Sequence, residues 1–248
     1  MNADGVSPRS AIPVPDSARV IHDEIVAALR AMLRRPYDGP LCSRFRADLH
    51  GVLSLFERYQ ETILSHGGLK AVCTRGCRYC CFHWPEDVYS FEGEIAADFI
   101  ARHLPAKMAT IAATFREDER ELERLEEIVT LRLREPDIRE QLSEEDQVEL
   151  LLASYYRLER PCALLDHDGA CGIYPVRPLS CRIYYNFSDP FYCVPSNVDE
   201  SNVRTYLLDL EEEASELLDA LHERFERHGG VTGLRPLLAR LLEERLLS

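Results

Sequence analysis

The sequence is poor in lysine and tryptophan and has no long apolar run. Lys70 and Lys107 are the only lysines and Trp84 the only tryptophan. The lysine shortage, with arginine in its place, reads as a coding bias before it reads as function. Positive charge is also short: 43 acidic residues face 29 basic ones, for a net charge of −14. So acidic a chain repels phosphate backbones and anionic lipid, which argues against nonspecific binding to nucleic acid or to a membrane surface. No stretch reaches the ~18 apolar residues of a membrane span. The first fifteen residues lack the apolar centre of an export signal. The expectation is a soluble protein of a reducing, cytoplasmic compartment. Hydrophobic residues make up 46% of the 248, enough for a buried core.

What the chain does have is cysteine, nine in all. Four lie in the run Cys73-Thr74-Arg75-Gly76-Cys77-Arg78-Tyr79-Cys80-Cys81, and four more, Cys162, Cys171, Cys181 and Cys193, follow Pro161. Only Cys42 stands apart. Thiolates are strong, soft ligands for zinc, iron and iron–sulfur clusters. Gaps of three, two and zero residues let one short loop aim several sulfurs at one ion, and Gly76 permits the positive-φ turn such wrapping needs. The distant second stretch can complete the site. Disulfides or inert buried thiols are the competing account. They suit oxidising compartments and small secreted domains, and adjacent Cys80 and Cys81 make an awkward mutual bridge. All eight clustered cysteines are therefore taken as metal ligands. His83 is within reach of a ligand role, but with eight cysteines present it reads better as a solvent-facing or hydrogen-bonded histidine.

Around these stretches the chain reads as helices. Residues 1–15, with three prolines, read as a disordered tail. Ser17 is the expected cap of a first helix with Val20, Ile21, Ile25, Leu29, Met32 and Leu33 on one face. A second helix runs from Ser43 to the Gly67-Gly68 stop. Further helices are expected from Ser90 to about His103, and from Pro105 through the charged run 116–134, where Glu117–Arg120 and Glu121–Arg124 are paired at i,i+3 on a solvated face. Ser143-Glu144-Glu145-Asp146 looks like a capped start. A long helix is expected from Asp199, and a last one opens near Pro236. Its leucines, Leu237, Leu238, Leu241 and Leu242, suit packing on the bundle before a dimer face. Between the helices, Asp166-His167-Asp168-Gly169 is a turn signal for a hairpin joining Ala163–Leu165 to Ala170–Tyr174. Arg177 and Arg182 bracket Cys181, where a guanidinium can donate to sulfur or to loop carbonyls and offset thiolate charge.

The fold class that follows is mainly α: a helical bundle with cysteine-rich metal-binding loops and one small β-hairpin. The expected divisions are a tail (1–15), an N-terminal helical pair (16–66), a cysteine-cluster domain (67–198) and C-terminal helices packed on it (199–248).

The ordered set Cys73, Cys77, Cys80, Cys81, then Cys162, Cys171, Ile173, Tyr174, Arg177, Pro178, Cys181, Arg182 and a last Cys193 resembles the YkgJ-like cysteine-cluster family. It is also known as the CxxCxxCC zinc- or iron-chelating domain. The first gap here is three residues where the family's name has two. The resemblance implies a metal or iron–sulfur site and no single reaction. Some relatives are similar to flagellin lysine methylases, but this chain lacks a Rossmann-type glycine-rich loop for S-adenosylmethionine. Cys73, Cys77 and Cys80 also fit the radical S-adenosylmethionine spacing, yet no strand–helix series follows to build the barrel.

Eight thiolates exceed the four that one zinc ion or one four-iron cluster takes. Two sites, or spare thiols, are implied. The cofactor expectation is an iron–sulfur cluster or zinc or iron. The functional expectations are a metal-dependent enzyme acting on a small molecule or protein side chain, a zinc-stabilised interaction module, or a metal storage or delivery protein. A protein partner or homodimer would use the charged or Leu-rich helices.

Overall fold

The structure is a computed structural model that describes residues 12–74, 76–132, 143–197, 205–229, 231 and 233–247. Among these it has seven α-helices: α1 (Asp16–Arg34), α2 (Ser43–His66), α3 (Ser90–His103), α4 (Met108–Arg132), α5 (Glu144–Tyr156), α6 (Glu212–Phe225) and α7 (Leu234–Leu247). Two short strands, β1 (Tyr184–Asn186) and β2 (Thr205–Leu207), pair antiparallel, Tyr184 opposite Leu207 and Asn186 opposite Thr205. The fold is mainly α, as the periodicity requires. No helix among the described residues is long and apolar enough to cross a membrane.

Two hydrophobic cores meet at α3. On the first, α1 packs along α2 and α6. Ile25, Leu29, Phe45, Val52, Phe56 and Phe91 are fully buried there. On the second, α4 packs along α5 and α7, and α3 along α7. Ala96, Ala97, Ile100, Phe115 and the leucines of α7 fill it. The N-terminal half of α3 faces one core and the C-terminal half the other, so even Glu92, Glu94 and Asp98 are buried. Gly93 lets α7 approach: a Cβ there would lie 2.4 Å from a Leu237 methyl carbon.

Several local expectations change. Ser17 lies inside α1, whose cap position is Pro15 without a side-chain cap, and Val20 faces solvent. The stretch 12–15 carries Ile12 and Val14 against the first core. Residues 1–11 of the expected tail, the Pro136 break, and Asp199 and Val203 of the expected long helix lie outside the described residues. Tyr206 and Leu207 of that helix are strand, because their backbone is taken up by Tyr184 and Tyr185 across the sheet, and α6 begins at Glu212. The 163–174 hairpin shrinks to a single bridge, Leu165 with Cys171. Glu121–Arg124 pairs as expected, but Glu117 turns to Arg160 instead. Ser143 caps α5, its hydroxyl accepting from the Asp146 N–H.

Candidate metal centre

The first cysteine loop leaves α2 and runs beside the sheet. The Val72 N–H donates to the Asn186 carbonyl at 2.9 Å. Gly76 takes φ +87°, and the Cys77 N–H donates back to Thr74. A 3-10 turn over Tyr79–Phe82 then carries Cys80 and Cys81. The second stretch is a chain of tight turns, Tyr174–Val176, Leu179–Cys181 and Pro190–Cys193, started by prolines that preset φ.

Further contacts join the loops. The Cys162 N–H donates to the Cys81 carbonyl at 3.0 Å. Gly76 and Gly169, the latter at φ +80°, meet back to back, and a Cβ on Gly169 would lie 2.8 Å from the Gly76 carbonyl. The Asp-Gly turn of the second stretch thus serves as a docking point for the first. A β-branched side chain at Gly169 would be strained and would push the loops apart.

The eight clustered cysteines come together and the ninth does not. Cys42 caps α2, its sulfur accepting from the Phe45 N–H at 3.4 Å. All nine are free thiols. Cys80 is the hub, within electrostatic reach of each of the other seven clustered thiols. Two neighbouring pairs share protons. The Cys77 thiol hydrogen-bonds Cys73 and lowers it to about 6, helped by the Asn186 backbone N–H and the Arg177 charge. The Cys81 thiol likewise bonds Cys80 and lowers it below the usual thiol range. Their donors rise in turn, Cys77 held by Cys73 and Cys81 by Cys80. Burial raises Cys162 and Cys181 and lifts Cys171 and Cys193 to about 11.

Among the described residues, no three cysteine, histidine or carboxylate side chains converge closely enough to hold an ion as they stand. Cys73 bonds Cys77 and Cys80 bonds Cys81. The donor set nonetheless fits a thiophilic metal: eight sulfurs, Cys73 and Cys80 lowered toward the thiolate, with an arginine beside them. Metal binding would replace the shared protons.

Arg177 is that arginine. Its charge acts on Cys73, Cys80, Cys171 and Cys181. Its guanidinium carbon lies 4.6 Å from the Tyr174 ring centroid, and its buried Nε has no hydrogen-bond partner. Arg182 is placed differently. It donates to the Arg177 carbonyl at 2.9 Å and to Glu57 at 2.5 Å, so it bonds loop carbonyl and helix α2 and leaves the sulfurs to its neighbour. His83 is not solvent-facing. Its ring stacks 4.0 Å from Tyr156 and 5.6 Å from Tyr184, and burial lowers it to about 4, which keeps it neutral.

Three residues of the centre escaped the sequence reading. Arg235 is fully buried. It donates to Asp118 and the Tyr155 hydroxyl, each at 2.6 Å, and to the carbonyls of Cys81, His83 and Arg160. Asp118, buried in the run expected to be solvated, also accepts from Arg160 at 2.7 Å. One arginine of α7 thereby ties the first cysteine loop to α4 and α5. The available signal was an arginine inside the apolar run Leu234-Arg235-Pro236-Leu237-Leu238; Asp118 had none. The third is Asn186, whose side chain donates to the Cys193 sulfur at 2.9 Å and whose backbone N–H approaches the Cys73 sulfur at 3.5 Å.

This arrangement of cysteine loops against helices defines a class. The family model of the CxxCxxCC domain, described as a putative zinc- or iron-chelating domain, matches residues 72–204, more than half of the chain. The chain belongs to that family, and membership supports a metal-chelating role with zinc or iron as the metal. No curated protein and no solved structure matches it.

Proposed function

We propose that the protein binds zinc or iron through Cys73, Cys77, Cys80, Cys81, Cys162, Cys171, Cys181 and Cys193, with Arg177 offsetting thiolate charge. The observation that carries this reading is the meeting of the two cysteine stretches, where the Cys162 N–H donates to the Cys81 carbonyl at 3.0 Å and Asn186 contacts the sulfurs of Cys73 and Cys193. Cys73 and Cys80 reach solvent. That accessible side favours exchange or chemistry at the metal over a fully closed staple. An iron–sulfur cluster is the finer reading of the same thiols. A closed structural zinc site is the second reading, supported by the packing of Cys162, Cys171 and Cys181 against the second core.

The test is metal and acid-labile sulfide analysis, with the visible spectrum, on protein purified without oxygen. Iron with sulfide and a brown colour favours the cluster; stoichiometric zinc without colour favours the second reading. Cys80→Ser and Cys181→Ser are each expected to lower bound metal and thermal stability. Unchanged metal content in both would sink the shared centre.

A further inference from the structure

The eight cysteines are not evenly mixed. The main sulfur neighbours of Cys81, Cys171 and Cys181 are drawn from Cys162, Cys171 and Cys80. Cys162 has Cys80 as its sulfur neighbour and lies beside the Arg235 charge. Those of Cys77 and Cys193 are Cys73 and Cys80, and that of Cys73 is Cys77. Cys80 alone appears on both sides.

Backbone and packing divide along the same line. Cys162, Cys171 and Cys181 rest on the second core, and the Cys81 carbonyl is held by the Cys162 N–H and by Arg235. Cys73 and Cys193 are instead joined through Asn186, which gives its backbone N–H to one sulfur and its side-chain amide to the other. The Asn186 amide is itself fixed: its oxygen accepts from the Ser188 N–H at 3.0 Å and hydroxyl at 2.6 Å. The Tyr156 hydroxyl donates to the Cys193 carbonyl. Cys73 and Cys80 are exposed, and no cysteine of the first set is.

We infer that the cysteines form two adjoining metal sites, an inner one of Cys81, Cys162, Cys171 and Cys181 and an outer one of Cys73, Cys77 and Cys193, with Cys80 between them. This rests on the metal-binding reading above and divides it. The inner set offers four sulfurs backed by core, the complement of a closed site. The outer set offers three sulfurs, with the exposed Cys73 among them and the exposed Cys80 beside it, so that without Cys80 as a ligand a position stays open for exchange or for an incoming ligand. Asn186 is a positioning residue of the outer site alone, since its two sulfur contacts are both there.

The experiment is a stepwise anaerobic titration of the full-length, metal-free protein with cobalt(II), read by sulfur-to-cobalt charge-transfer absorption and followed by challenge with a chelator. Two equivalents are expected to bind in separable steps, the second leaving first under chelation. Cys73→Ser and Cys193→Ser remove the weak step and keep the tight one. Cys162→Ser and Cys181→Ser remove the tight step. Asn186→Ala, which deletes no ligand, weakens only the weak step, by about 10- to 100-fold. One equivalent, lost equally from variants of both sets, overturns the division while leaving metal binding intact. Two equivalents lost together in every variant also overturn it, as a single multinuclear centre would behave that way. No cobalt bound by the wild-type chain defeats the metal-binding reading and this one with it. The wild-type titration needs no substitution and decides even where a variant fails to fold.

Discussion

The two cores are finished by different chemistry. The first closes on carbon: Phe45 meets Tyr37, Phe91 and Phe225 edge-on, with ring centroids 5.1, 5.6 and 5.0 Å away. Such contacts add to the gain from burying large rings. The second core is mainly aliphatic and runs out into Cys162, Cys171 and Cys181, and its edge is held by the buried Arg235–Asp118 pair. A buried ion pair gives little net stability against apolar packing of equal volume, but breaking it strands a charge. The first core is thus closed mainly by ring packing. The second depends on polar bonds that also fix the cysteine loop, so its stability and its site are one property.

A matched pair of substitutions separates the two cores. Arg235→Met leaves Asp118 buried with Arg160 as its remaining ionic partner and frees the carbonyls of Cys81 and His83. It is expected to cost about 3–5 kcal/mol and to lower metal retention. Phe45→Ala is expected to cost about 3–5 kcal/mol as well, with metal content per folded chain unchanged. Denaturant melts with metal analysis of the folded fraction check both. Equal metal loss in the two variants would mean that the cores are not independent in this respect.

A smaller effect lies on the helix shared by both cores. Glu92 of α3 is buried and accepts from the Leu179 N–H at 2.8 Å and the Tyr89 N–H at 3.2 Å, the first at the turn that carries Cys181. Burial raises its carboxyl from 4.5 to about 7 against the pull of those bonds. Its neutral form is therefore the one the fold favours. The Glu92 contribution is complete below about pH 4.5 and is lost as pH rises through about 7, a swing of about 3 kcal/mol. Glu92→Gln is expected to flatten that part of the stability–pH curve, measured by urea unfolding between pH 5 and 8. An unchanged slope would assign the pH dependence elsewhere.

The smallest effect is at the cysteine outside the cluster. Cys42→Ser puts a preferred capping residue at the start of α2 and is expected to change stability by no more than about 1 kcal/mol, upward if at all, with bound metal unaltered. A fall in metal would place Cys42 in the site despite its position.

The legible parts of this protein were those written in adjacent residues. The spacing of Cys73, Cys77, Cys80 and Cys81, the positive-φ need at Gly76 and the Ser143 cap are local, and each reads directly from the chain. Helices α2 and α3 follow from apolar periodicity. What escaped was set by partners far along the sequence. Tyr206 and Leu207 have helical spacing with their C-terminal neighbours, yet pairing with Tyr185 and Tyr184 decides their conformation. Asp118 looks like any acid on a charged helix until Arg235 and Arg160 are brought to it from 117 and 42 residues away. Arg182 donates to a loop carbonyl, one of the roles expected of it, but its second partner, Glu57 of α2, lies 125 residues away and gave no signal in the sequence. Only the packing of helices that the sequence does show could have revealed these meetings.

Trp84 gives the centre its own optical reporter. It is the chain's one tryptophan, it is buried, and it lies one residue past His83. The Arg235 guanidinium sits 5.6 Å from its ring centroid, and Tyr155 crosses it edge-on at 5.1 Å. A cation over an indole face shifts the energies of its excited states, so emission colour and quenching register the position of Arg235. Because that arginine grips the Cys81 and His83 carbonyls, a change in the cysteine loop that moves it is expected to show in intrinsic fluorescence, without a label and without competing tryptophans.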